Sequence, residues 1–293
     1  MPEAFHEVEQ RMRDEFQRTR SLNALHWLDR YPEHEDAIED LLDEFADTVI
    51  AEPTTRQREA LQRGAERALD EYRAVATADG AERRVGERVL RRRQPRAAPR
   101  KTAEWRAKRS VVFAWVAAQL YPADPILDRV KVQKALYLLE AALKLGLFVS
   151  FRMHRKGPFD PQLKHLDAEP NGKREGWIVV DDRFITPGPN SAAAVAMARP
   201  ILQDAGLAED LMGVLSPYTG WELAVWATVL SLSRRLMKRD EPVSVGSILE
   251  EVGRIEQWKD KAQWREFTDE RVGEALQHLE RLGMVPSEKI AWD

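Results

Sequence analysis

Apolar residues recur at helical spacing through most of this chain, and the elements they predict are mainly α-helices. Ile38, Leu41, Leu42, Phe45, Val49 and Ile50 line one side of a segment whose other side carries Glu39, Asp40, Asp43 and Glu44. That is an amphipathic helix with an acidic face, punctuated by Pro32 and Pro53. A second helix is expected from about Thr55 to Ala76 through Leu61, Ala65, Ala68, Leu69 and Tyr72. Further on, Val111, Val112, Trp115, Val116, Gln119 and Leu120 predict a largely buried helix that stops before Pro122 and Pro125. Asp128 is placed to cap the next helix, in which Val132, Leu136, Leu139 and Leu143 form an apolar stripe joined by Ala135 and Ala142. Gly146 is its expected stop.

Strand signals are few. Leu147 to Met153 alternates weakly, and Trp177 to Val180 with Arg183 to Thr186, separated by Asp181 and Asp182, predicts a β-hairpin. Helices resume at about Ser191 to Ala205 and Glu222 to Met237. Ser247 to Gly253, Asp269 to Leu282, Gly283 and a final Lys289 to Trp292 have the order of a helix, a helix and a short wing, as in a winged-helix module. The expected fold is therefore mainly α: a helical N-terminal segment, then a helical domain with a small β-hairpin and a winged-helix-like end.

Charge divides the chain more sharply than its net of -4 implies. Residues 1–80 hold 10 Lys+Arg against 20 Asp+Glu, residues 81–110 hold 12 against 3, and residues 111–293 hold 23 against 26. The division predicts an acidic helical domain over 1–80, an Arg-rich linker over 81–110 and a helical domain over 111–293. Pro95 and Pro99 interrupt the basic block. Its bland reading is a solvated connector attracted to the acidic segment. Its functional reading is a nucleic-acid arm in which Arg91, Arg92, Arg93, Arg96, Arg100 and Lys101 neutralise phosphates. No aromatic residue interleaves these cations to stack on bases.

Composition narrows the chemistry. With 293 residues, 43% hydrophobic and 32% charged, the chain has globular usage. No cysteine is present, which excludes a disulfide scaffold, a cysteine nucleophile and thiolate metal sites. The longest charge-free apolar run, Ser110 to Ala123, contains Gln119 and Pro122 and falls short of the roughly 20 apolar residues of a membrane span. Glu3, Glu7 and Glu9 open the chain in place of the basic region of a secretory signal, so a cytoplasmic protein without membrane contact is expected. His6, His26, His34, His154, His165 and His278 include no pair four residues apart, and neither a metal nor another cofactor is expected. Arg20 with His26 and Arg271 with His278 match a loose Arg-to-His ribonuclease spacing about as often as chance provides. Serine-elbow and phosphate-loop patterns do not occur.

The most distinctive stretch is Arg129-Val130-Lys131-Val132-Gln133-Lys134-Ala135-Leu136-Tyr137, followed by His154-Arg155-Lys156-Gly157-Pro158-Phe159-Asp160. The first run resembles the Lys-Leu-Gln-Lys-Leu-Leu-Tyr helix of the Panacea antitoxin domain family, and Gly157-Pro158 is similar to that family's following Gly-Pro turn. The resemblance spans roughly Arg109 to Tyr218. It implies a protein that neutralises a partner toxin by direct binding, and places Lys131, Gln133, Lys134, Tyr137, Arg155, Gly157, Pro158, Phe159 and Asp160 in the partner-binding surface. Lys131, Gln133 and Lys134 interrupt the apolar stripe, so the pattern predicts that they face outward, as a solvated face or an interface. The alternative is a DNA-binding regulator using the basic block and the winged-helix-like end. A third reading, an enzyme of a phage-defence system, has no catalytic residue to name.

Overall fold

The computed structural model describes residues 5–19, 79–91, 102–154, 157–165, 167–181, 184–255 and 267–291, with Trp27, Arg30, Tyr31, His34, Ile38 and Leu41 from the stretch between the first two. The helices expected to run through Phe45 and Ile50 and from Thr55 to Ala76 lie outside the described residues, apart from Ile38 and Leu41. Near the N-terminus, Val8 and Met12 of α1 (Phe5–Thr19) are buried, and so are Trp27, Tyr31, Ile38 and Leu41. These side chains are not part of the main core.

The main unit is built from α2 (Asp79–Arg91), α3 (Ala103–Leu120), α4 (Arg129–Leu143), β1 (Arg152–His154), β2 (Gly157–Phe159), α5 (Pro161–His165), α6 (Ala168–Arg174), β3 (Ile178–Asp181), β4 (Phe184–Pro187), α7 (Ser191–Leu202), α8 (Ala205–Leu215), α9 (Gly220–Lys238), α10 (Val245–Arg254) and α11 (Asp269–Arg281). Every residue of α3 from Arg109 to Ala117 is buried. A helix apolar all round must be enclosed, and α3 is surrounded by α4, α6, α7, α8 and β4. Next to it, α4 lies between α3 and α9, and α9 continues the packing onto β2, α10 and α11.

The caps follow from sequence. Asp128 accepts the Lys131 amide at 2.7 Å, and Thr219 and Glu222 form a reciprocal capping box at the start of α9. The turn after α4 is closed by Glu140, whose carboxylate accepts the amides of Gly146, Leu147 and Phe148. Burial pushes the Glu140 carboxyl up from its ordinary value against the pull of those three amides. The hairpin β3–β4 forms where the alternation predicts it, with Val180 opposite Ile185.

Two boundaries differ from the charge-based division. The block 81–110 is not a linker throughout: α2 docks on α8 and α11 and contributes Val85 and Val89 to the main core, and Arg109 and Ser110 belong to the buried centre of α3. Apolar period, rather than charge, decides the structure there. Gly86 permits the docking, since a Cβ on it would lie 1.9 Å from the Arg281 carbonyl oxygen. Arg92, Arg93, Arg96, Arg100 and Lys101 lie outside the described residues, and Arg91 ends α2. At the C-terminal end the helices α10 and α11 stand as expected, and the segment read as a wing makes a 3-10 turn, Ser287–Lys289, and one parallel bridge between Ile290 and Val243. Among the described residues no helix is long and apolar enough to cross a membrane.

Candidate interaction site

The helix α4 turns its cations and its amide inward. Lys131, Gln133 and Lys134, expected at the surface, are each 1% exposed. The reason is the position of α4 between α3 and α9: a helix packed on two sides has no broad solvent face. Both lysines and the Gln133 carbonyl oxygen bond to polar groups brought in from elsewhere in the chain, while Gln133 Nε2 is buried without a hydrogen-bond partner among the described residues. Lys131 Nζ donates to Asp124 Oδ2 and to the Ser216 carbonyl, both at 2.9 Å. Lys134 Nζ donates to the Pro158 carbonyl at 2.5 Å, and Gln133 Oε1 accepts the Asp160 amide at 3.3 Å. At the start of the helix, Arg129 makes a two-point pair with Glu169 of α6, at 2.7 and 3.0 Å.

The Gly-Pro segment is therefore held from below by α4. Gly157 has φ 92, in the left-handed region that favours glycine, and Gly157 and Pro158 form β2 antiparallel to β1 rather than a turn after it. Asp160 ends the strand and accepts the Gln162 amide with Oδ1 at the start of α5. Its other oxygen takes Arg109 Nη2 at 2.7 Å, while Arg109 Nη1 donates to the Leu147 carbonyl at 3.1 Å. The same guanidinium lies 3.0 Å from Asp167 Oδ2 through Nε and stacks over Trp105 at 4.4 Å. Arg109, Asp160 and Asp167 are all essentially inaccessible, so one cation is enclosed with two carboxylates.

That imbalance leaves a signature on Asp167. Burial raises its carboxyl to about 6, opposed by Arg109 and reinforced by the Asp160 charge. A raised carboxylate binds its proton more tightly in the folded state, so this group favours folding most below about pH 4 and loses that contribution as pH climbs to about 6. The change is on the order of 3 kcal/mol at about 1.4 kcal/mol per unit. Asn can keep the Asp167 cap on the Ala168 amide, so Asp167→Asn should remove this decline. Urea unfolding at pH 4, 5, 6 and 7 checks it; parallel pH profiles for the wild type and the variant would refute the assignment.

Above the clamp lies a half-exposed face. Strand alternation puts Arg152, His154 and Phe159 on one side of the β1–β2 pair and the buried Pro158 on the other. His154 packs on Phe159 at 5.0 Å between ring centres, and Tyr137 meets Phe151 edge-on at 5.1 Å. Val149, at 51% exposure, and Arg152 complete the neighbourhood along the chain.

Of the described residues assigned to the partner-binding surface, Tyr137 and Phe159 thus have accessible side chains. Lys131, Gln133, Lys134, Gly157, Pro158 and Asp160 are buried structural members, and Arg155 lies outside the described residues. Sequence reasoning missed Arg109 and Asp167. Arg109 was counted with the basic block, and its only signal was its place at the start of the apolar run Ser110 to Ala118. Among the described residues no group of His, Cys, Asp or Glu is arranged to hold a metal ion. Comparison of the chain with protein-family models, with curated proteins and with solved structures gives no match.

Proposed function

We propose that this protein is an antitoxin-like binding protein of the Panacea type, which neutralises a protein toxin by direct contact. One observation supports the reading: the two short motifs that carry the resemblance, 131–137 and 157–160, are mechanically one unit, joined by Lys134 to Pro158 and Gln133 to Asp160. Those residue types in that order have a shared structural purpose, which a chance match of two separate motifs would not require. In this reading the motif residues build a platform, and the partner meets its outer face at Tyr137, Phe151, Arg152, His154 and Phe159. Half-exposed aromatic rings beside an arginine have the composition of an interface hot spot.

The test uses the product of a neighbouring gene that arrests growth when expressed alone. Co-expression of this chain should restore growth, and the purified proteins should form a complex. Phe159→Ala together with Arg152→Glu should leave the fold intact and weaken the complex by about 30-fold or more, the loss of a hot spot of about 2 kcal/mol. Full neutralisation by that variant would move the interface elsewhere. If no neighbour is toxic and the chain instead binds DNA at low salt with steep weakening on salt addition, the regulator reading replaces this one.

A further inference from the structure

Away from that face, a cleft of about 270 Å³ opens between α9 and α11, lined among others by Tyr218, Glu222, Trp226, Glu270, Glu274 and His278. Its floor is aromatic. The Trp226 ring stacks on His278 with centres 4.5 Å apart and planes at 23°, and Tyr218 packs on both, at 4.6 Å from Trp226 and 5.5 Å from His278. The His278 ring is fixed from behind by α2: its Nδ1 lies 2.8 Å from Glu82 Oε1, and Arg281 Nη1 holds the other oxygen at 3.3 Å. The carboxylate partner at Nδ1 holds the imidazole in this orientation over the cleft.

The rim is acidic. Glu222 completes the capping box of α9, and Glu270 lies in the first turn of α11, where the helix dipole favours a carboxylate. Glu274 has no such duty. It lies one turn beyond Glu270 and one turn before His278, and among the described residues neither Glu270 nor Glu274 enters an ion pair. Like charges at i, i+4 repel. Arg271 also lines the cleft, giving three carboxylates against one guanidinium.

We propose that this cleft receives the guanidinium of an arginine side chain presented by a protein partner. The proposal rests on the reading of the chain as a partner-binding protein, though it concerns a different surface. A planar, weakly hydrated cation suits both parts of the site: its face covers the part-exposed Tyr218 and His278 rings, beneath which Trp226 is buried, and its N–H fork pairs with carboxylates such as Glu270 and Glu274. A lysine ammonium, a compact and strongly hydrated charge, matches the aromatic floor less well. The volume accommodates one long side chain rather than a helix or a strand.

The full chain is titrated with the blocked tripeptide acetyl-Gly-Arg-Gly-amide, its citrulline counterpart, in which the guanidinium becomes a neutral urea of the same shape, and the lysine peptide. Binding is read from the indole N–H resonance of Trp226 and the ring resonances of His278. The arginine peptide should saturate these shifts with a Kd on the order of 1 mM, within reach of a titration to tens of millimolar. The lysine peptide should bind several-fold more weakly and the citrulline peptide should leave the resonances unmoved. Glu274→Gln, an exposed change, should weaken the arginine peptide by about three- to five-fold while the thermal midpoint stays constant. Equal shifts from citrulline, equal affinity for lysine, an unaffected Glu274→Gln variant or no saturation by arginine would each overturn the proposal. None of these results bears on toxin neutralisation through the β1–β2 face.

Discussion

Arg109→Met should cost about 3–5 kcal/mol of folding stability at neutral pH, one of the largest effects of any single substitution in this chain. Methionine keeps an unbranched stem that still packs against Trp105 and Phe148, rings that lie 4.4 and 5.5 Å from the guanidinium carbon. What disappears is the cation between Asp160 and Asp167, which are then enclosed with no ion-pair partner, the exposed Arg106 acting on Asp167 only weakly. The Leu147 carbonyl loses its donor at the same time. Against a total stability of roughly 5–15 kcal/mol such a loss leaves little. Urea unfolding followed by tryptophan fluorescence measures it. Two companions isolate the electrostatic cause: lowering the pH toward 4 should recover part of the loss as the Asp167 carboxyl protonates, and Arg109→Met combined with Asp160→Asn and Asp167→Asn should be more stable than Arg109→Met alone. A cost below about 1 kcal/mol, or a triple variant worse than the single one, would show that the ionic triad does not hold β2 and α6 to α3.

The second large effect reverses an expectation drawn from pattern alone. If Lys131 and Lys134 were solvated, changing both to glutamate would alter stability by no more than about 0.5 kcal/mol. In the folded protein Lys134→Glu sets a carboxylate against the Pro158 carbonyl, and Lys131→Glu sets one against Asp124 and the Ser216 carbonyl. Each swap replaces a donor with a buried acceptor facing acceptors. The double variant should fail to give a cooperatively folded protein, seen as lost thermal unfolding and rapid proteolysis. The milder Lys134→Met, which leaves the Pro158 carbonyl unpaired but buries no charge, should cost about 1–3 kcal/mol. A well-folded double glutamate variant would return these residues to the surface. The contrast also matters for interpreting neutralisation: a charge-reversed α4 that no longer neutralises a toxin has lost its fold, so only changes at Phe159 and its neighbours report on the interface.

The same helix shows how far the sequence carries. Its start at Asp128 and its stripe of Val132, Leu136, Leu139 and Leu143 are legible, because capping and helical periodicity are local properties of a few adjacent residues, whereas the left-handed residue that ends it is Lys144 rather than the expected Gly146. The β3–β4 hairpin, α7 and α9 are legible for the same reason, whereas α8, which begins at Ala205 where the helix expected from Ser191 ends, is not. The direction in which Lys131, Gln133 and Lys134 point is not local. It depends on what covers the opposite side of the helix, and α9, which supplies that cover, lies some ninety residues further on. Likewise the apolar run after Arg109 is the one local feature that sets it apart from the arginines before it, and that run says nothing of its partners. Its partners Asp160 and Asp167 are brought to it by folding across 51 and 58 positions, and a charge pair that distant leaves no periodic trace. Local spacing thus marked α3, α4, α7, α9, α10, α11 and the β3–β4 hairpin but not α2, α5, α6, α8 or β2, whereas the tertiary structure alone decided which charges are solvated and which are enclosed. Burial of a polar group is a property of its surroundings, and those surroundings are assembled from the whole chain.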